Sequence, residues 1–157
     1  MAEATSCVQC STPLQRQSIG SVTGEEGVLR IAVADFPVLV CERGHRQFIT
    51  RDFPRKLLEQ LAGDKTGLPE GKKRGLLFKK LHCGQCDVLL EIEAASRSFA
   101  CDVRPEEGAA LHVELTLPVY TCPACKCEQL RERGEIEGLV PTALAQAFRG
   151  AGILPPR

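Results

Sequence analysis

Tryptophan is absent from the 157 residues, tyrosine occurs once and phenylalanine six times. A chain this poor in large aromatics lacks the stacking platforms that hold single-stranded nucleic acid. It also has little of the bulk that fills a core. Charge of either sign is missing as a net quantity: 20 Lys and Arg face 20 Asp and Glu. That is not the balance of a protein that coats DNA, although it leaves room for a local basic patch. No stretch approaches the roughly eighteen apolar residues of a spanning helix. Nucleophile elbow, phosphate loop, dinucleotide fingerprint and His-Glu-x-x-His are all missing, so no catalytic motif and no small-molecule substrate is evident. The paired acids Glu25-Glu26 and Glu106-Glu107 sit in turn-like stretches, where solvation explains them. The start, Met-Ala-Glu-Ala-Thr-Ser-Cys, has no basic region followed by an apolar run. The expectation is therefore a reducing, cytoplasmic compartment with no membrane partner.

What the chain does have is cysteine, nine of them. Their spacing repeats. Cys7-Val-Gln-Cys10 is followed after thirty residues by Cys41-Glu-Arg-Gly-His45. Cys83-Gly-Gln-Cys86 is followed after thirty-five by Cys122-Pro-Ala-Cys125. Two close pairs of soft donors per half are what a tetrahedral zinc site needs, and four protein donors leave no position open for a substrate. The expectation is two structural zinc ions rather than disulfides. His45 is read as the fourth donor of the first site, because that site otherwise lacks one; Gly44 gives the backbone freedom to reach it. Cys127, two residues past Cys125, is a rival donor for the metal, and its plainer reading is a small packed residue. Cys101 reads as a small packed residue, and His82 and His112 as ordinary surface residues.

The halves also superimpose between the donor pairs. Leu29-Arg-Ile-Ala-Val-Ala-Asp-Phe-Pro37-Val-Leu-Val-Cys41 lies over Leu111-His-Val-Glu-Leu-Thr-Leu-Pro118-Val-Tyr-Thr-Cys122. Pro37 matches Pro118, and one gap upstream brings Ile31 onto Val113 and Val33 onto Leu115. The alternation before each proline reads as a half-buried strand, and the proline as a break in the ladder. Further strands are expected over 14–23 and 28–40, and over 88–94, 98–103 and 110–120. The turns Gly24-Glu-Glu-Gly27 and Arg104-Pro-Glu-Glu-Gly108 would join them. A helix is expected over Thr50–Leu61, capped by a Thr or Asp and buried through Phe53, Leu57, Leu58 and Leu61. A second runs from Pro141 to Phe148, proline early and Gly150 late.

This arrangement resembles the zinc ribbon family, on Cys7, Cys10, Cys41 and His45 and on Cys83, Cys86, Cys122 and Cys125 with strands between. The first site's histidine and the long spacers depart from the plain four-cysteine ribbon. The resemblance implies a small metal-bound β-rich (α+β) fold of two tandem zinc ribbons, each an antiparallel sheet followed by a short helix. It implies a structural metal and no single activity. The expected layout is a first ribbon with its helix over 1–63, a linker over 64–75 and a second over 76–157. Halves of this size have marginal cores, which metals would staple.

The function expected from these features is a non-catalytic adaptor that contacts a protein partner or larger complex. A nucleic-acid binder is the rival. It would use Arg43, Arg46, Arg51 and Arg55, with Lys56 beside them, or Lys72, Lys73, Arg74, Lys79 and Lys80. The plainer account of both clusters is a solvated surface. A rubredoxin-like iron electron carrier is the third reading, since a four-cysteine site accepts iron chemically; the first site's histidine counts against it.

Overall fold

In the computed structural model, residues 5–106 and 110–155 are described. Four short strands open the chain: β1 (Leu14–Ser18), β2 (Val22–Glu26), β3 (Leu29–Val33) and β4 (Pro37–Cys41). β5 (Arg46–Gln47) and helix α1 (Phe53–Leu61) complete the first half. The second half has β6 (Lys72–Arg74), β7 (Lys80–His82), β8 (Ala95–Val103), β9 (Leu111–Thr121), β10 (Glu128–Gln129), helix α2 (Arg133–Gly150) and β11 (Ile153–Leu154). The whole is small, β-rich and of the α+β type. Neither helix is long and apolar enough to cross a membrane.

β2 and β3 form a hairpin closed by Gly27-Val28, and β8 and β9 form its counterpart. The two hairpins then pair with each other, β3 antiparallel to β9. In that register Ala32 faces Glu114, with Ile31 opposite Leu115 and Val33 opposite Val113. The internal alignment superimposes the same residues crosswise, Ile31 on Val113 and Val33 on Leu115, and therefore Ala32 on Glu114. The duplicated strands thus meet about a local two-fold axis passing between Ala32 and Glu114. The self-complementary contact resembles that of a symmetric dimer, made inside one chain.

The expectation of two cores separated by a linker is corrected by this pairing. A single buried cluster holds Ile31, Val33 and Phe36 from the first half together with Val113, Leu115, Leu117, Ala143 and Leu144 from the second. α2 lies across β2 and β3, its buried side formed by Val140, Ala143, Leu144 and Ala147. The approach is close enough that a Cβ on Gly24 would sit 2.0 Å from the Ala143 carbonyl oxygen. Only glycine permits that contact. β11 continues past α2 and pairs in parallel with β5, so the last strand joins the first half's four-stranded sheet. Four of the six phenylalanines gather here: Phe148 of α2 stacks edge-on against Phe48 at 4.9 Å, and Phe36 lies 5.6 Å from Phe53 and 5.7 Å from Phe148. With so few aromatics, concentrating them where the halves join gives the shared core its bulk.

Segment 64–75 is not a free tether. Leu130 N–H donates to the Pro69 carbonyl, Gly71 N–H donates to the Leu130 carbonyl, and the segment ends in β6. The sequence pattern also runs two strands together over 14–23 and two more over 28–40. Each is broken at a left-handed residue, Gly20 (φ 79°) and Asp35 (φ 50°). Asp35 lies where the first half is one residue longer than the second. β9 has no such extra residue, and it continues through Pro118 without a break. The strand expected over 88–94 is absent: only an isolated bridge from Leu89 to His82 occurs there. α1 begins at Phe53 with Asp52 before it, and neither Thr50 nor Asp52 caps it through a side chain. α2 starts eight residues earlier than its proline indicates, at Arg133. Pro141 removes one backbone donor inside the helix, and the burial of the stripe that follows offsets that loss. Of the second Glu-Glu-Gly turn, Glu107 and Gly108 lie outside the described residues.

Candidate metal centres

The folded chain brings the eight sequence-chosen donors into two groups, Cys7, Cys10, Cys41 and His45 in one and Cys83, Cys86, Cys122 and Cys125 in the other. Within each group the donor atoms lie within 4.8 Å of one another. In site two, Cys83 and Cys125 sulfurs are 3.5 Å apart and Cys86 and Cys122 sulfurs 3.6 Å. In site one, Cys10 and Cys41 sulfurs are 3.7 Å apart. A disulfide needs about 2.05 Å, so these are not disulfides. Thiolates bound to one ion at about 2.3 Å in a tetrahedron stand roughly 3.8 Å apart. His45 presents Nδ1, 3.4 Å from Cys41 Sγ and 3.6 Å from Cys7 Sγ. With imidazole at about 2.0 Å from the ion, the corresponding edge is roughly 3.5 Å. Both donor sets fit one four-coordinate ion each, and neither leaves a coordination position vacant.

Three of the four donor turns close in one way. Cys7 N–H donates to the Thr12 carbonyl and Ser11 N–H returns to the Cys7 carbonyl. Cys83 repeats this with Val88 and Asp87, and Cys122 with Cys127 and Lys126. The residue that returns the bond is left-handed each time: Ser11 (φ 61°), Asp87 (φ 67°) and Lys126 (φ 64°). In the Cys41 turn the left-handed residue is Gly44 (φ 83°), one position earlier, and His45 carbonyl accepts from Cys41 N–H. The first cysteine of each turn (Cys7, Cys41, Cys83, Cys122) is buried and its partner lies closer to the surface.

That shift of one residue explains both fourth donors. Three turns place the second donor before the left-handed residue. The Cys41 turn places it after. His45 accordingly occupies the place that Cys127, not Cys125, holds in site two. Both precede the short return strands, β5 and β10, which pair with β4 and β9 in matching registers: Leu39 with Gln47, and Tyr120 with Gln129. Cys127 itself is not within the four-donor group; its sulfur lies 3.6 Å from the Glu128 carbonyl.

Sequence reasoning missed two site residues, Gln47 and Gln129, the buried polar side chains of the described core. They are each other's counterparts. Gln47 Oε1 accepts from Val8 N–H at 3.2 Å, and Gln129 Oε1 accepts from Gly84 N–H at 2.8 Å. Val8 and Gly84 each follow the first cysteine of a site. Gln129 does more: its Nε2 donates to Cys83 Sγ at 3.2 Å and to the Cys127 carbonyl at 3.3 Å. The Gln129 amide, with N–H groups of Cys86 and Gln85, holds the Cys83 thiol down to about 5. In site one the Thr12 hydroxyl, 3.0 Å from Cys10 Sγ, holds that thiol down to about 7. Fully anionic sulfur is the form that ligates a metal, so both contacts favour binding. The available signal in the sequence was a Gln shortly after each second donor pair, two residues past His45 and four past Cys125.

The basic residues separate into two groups of different character. Arg46 donates to the Ala151 carbonyl at 2.8 Å, and Arg55 is paired with Glu59 and Asp52, so two members of the first cluster already have partners within the chain. Lys72, Lys73, Arg74, Lys79 and Lys80 instead share one hairpin, β6–β7. Cys101 is half-buried against the core, where burial pushes its thiol up. His112 lies 3.0 Å from Asp102 on the surface. Comparison with protein-family models, with curated proteins and with solved structures gives no match to this chain.

Proposed function

We propose that the chain is a non-catalytic interaction module stapled by two zinc ions, a tandem pair of zinc ribbons fused through their strands. The observation that carries this reading is the closure of both donor sets. Four protein donors at tetrahedral spacing leave no place for a substrate or an activated water. A metal so enclosed holds the fold, and the surface is left to bind. The imidazole in site one favours zinc over iron for at least that site. The protein partner or larger complex is the occupant this reading requires, in the cytoplasm, where free thiols persist.

Elemental analysis with a visible spectrum tests the metal. Two equivalents of zinc and a colourless protein are expected. Iron with thiolate charge-transfer bands would replace the reading with the electron carrier. Cross-linking in native cells, followed by reconstitution with the purified candidate, tests the adaptor role; a metal-dependent turnover of any substrate would overturn it. A gel shift at two salt concentrations tests the nucleic-acid rival. Binding that is tight and sequence-selective at physiological salt would promote it.

A further inference from the structure

Three large apolar side chains stand almost entirely in solvent: Leu76, Leu77 and Phe78 are 102, 88 and 84 % exposed. They are consecutive and form the tip of the β6–β7 hairpin. Among the described residues, every other exposed large apolar residue keeps about half of its surface covered (Val8, Val28 and Val88 at 42, 52 and 41 %). The tip is a defined turn. Gly75 has φ 132°, and a Cβ there would meet the Phe78 carbonyl oxygen at 2.3 Å.

Cations surround this point. Lys72, Lys73 and Arg74 lead into it and Lys79 and Lys80 lead out, with no acidic residue from 72 to 82. Arg74 faces Lys80 across the ladder and Lys73 faces Leu81, so both faces of the hairpin carry positive charge. Arg74 pairs with Asp87 and Lys73 with Glu132, whereas Lys72, Lys79 and Lys80 make no ion pair among the described residues. Beside the hairpin lies an open cavity of about 450 Å³ whose walls include Lys73, Lys79 and Arg131. In a chain with zero net charge, this concentration is local.

We propose that the β6–β7 tip docks on an anionic phospholipid surface, with Leu76, Leu77 and Phe78 entering the interface and the lysines meeting the headgroups. A convex apolar point needs an apolar phase to enter. Nucleic acid offers one only by base stacking, for which the two leucines are unsuited. Cations on both faces of the point match a plane of negative charge on all sides. The absence of a spanning segment led to no membrane partner being expected; a peripheral contact needs no such segment. The inference goes beyond the adaptor reading and stands independently of the metal.

The test uses the full metal-loaded chain and flotation with vesicles of phosphatidylcholine, alone or mixed with phosphatidylserine. Wild-type protein should float with the mixed vesicles only, and less so as salt rises. The double variant Leu76→Ser/Phe78→Ser and the double variant Lys79→Glu/Lys80→Glu should each lose about tenfold in partitioning. Both alter exposed residues, so metal content and melting should not change. No flotation of wild type overturns the proposal, even if zinc is present at two equivalents. Flotation insensitive to the Leu76/Phe78 change also overturns it. Self-association abolished by Phe78→Ser would assign the tip to a second copy instead. A gel shift lost in Lys79→Glu/Lys80→Glu, without flotation, would assign the hairpin to nucleic acid.

Discussion

Site one and site two share the return strand after the second donor turn and the pattern of a left-handed residue in each turn, yet differ in which residue closes them. In site two the fourth donor, Cys125, precedes the left-handed Lys126; in site one, His45 follows the left-handed Gly44. The comparison shows that a donor turn has two places from which a fourth ligand can reach the ion. Imidazole is longer than a thiol, which suits it to the later place. It also shows where a site can be retuned without changing the sheet. The flanking strands keep their pairing in both cases.

The largest way to break the comparison is to remove a metal. Structural zinc contributes on the order of 10 kcal/mol, as much as the whole stability of an ordinary domain. Cys122 sits at the end of β9, and β9 pairs with β3 of the other half. Cys122→Ser should therefore disorder both halves in one transition. Amide spectra and a denaturant titration check this. A variant in which residues of β1, β4 and β5 keep native shifts while β8 and β9 lose theirs would show that the halves fold separately after all.

His45→Ala should act more locally. Site one would lose one donor of four, and its affinity should fall by more than the roughly 10–100-fold that an outer-shell partner costs. Chelator competition followed by metal analysis should find about one equivalent, against the two expected of the wild type from its two donor sets. Retention of both would return His45 to the role of a surface residue.

Much of site one and site two was legible because ligand chemistry is local. Two cysteines at Cys-x-x-Cys spacing fix their own geometry, so the cysteine donors could be chosen from spacing, and His45 followed because the first site otherwise lacked a fourth donor. The fusion of the halves was not legible. Strand alternation in Leu29–Val33 and Leu111–Thr121 says that one face is buried, and it does not say against which edge the strand pairs. Gly24 carried a hint, since a glycine inside a strand marks close backbone approach, but it reads equally well as the start of a turn. The hairpin at 72–82 was hidden by composition: five cations and two glycines around an apolar triplet read as a linker. Gln47 and Gln129 were hidden because glutamine is usually exposed, and only their burial reveals the role.

The place of Cys127 gives a sharper test of the equivalence. It stands where His45 stands, and site two therefore carries a spare thiol beside its four donors. Cys125→Ser should keep part of its metal through Cys127, at the expense of a small movement of the turn. Cys125→Ser/Cys127→Ser should bind at least about tenfold more weakly than the single variant. Equal affinities for the two would show that Cys127 lies beyond reach. Cys127→Ser alone should leave metal content unchanged, because its sulfur is outside the donor group.

The smallest effect separates the two glutamines. Gln129 bonds both to the turn and to the Cys83 thiolate, while Gln47 bonds to the turn at Val8. Gln129→Met keeps the volume and removes the donor to sulfur. The Cys83 thiol, now held down to about 5, would rise toward its ordinary value. Protons then compete better for the sulfur. A ligand with a lowered pKa keeps its metal to lower pH, so removing the donor moves the midpoint of acid release upward. Site two should lose about 10-fold in affinity, and its release midpoint should rise. Gln47→Met should shift site one by less, since no thiolate loses a donor there. If both variants shift their sites equally, the contribution of these residues lies in bracing the turns, and the bond from Gln129 to Cys83 adds nothing to the hold on the metal.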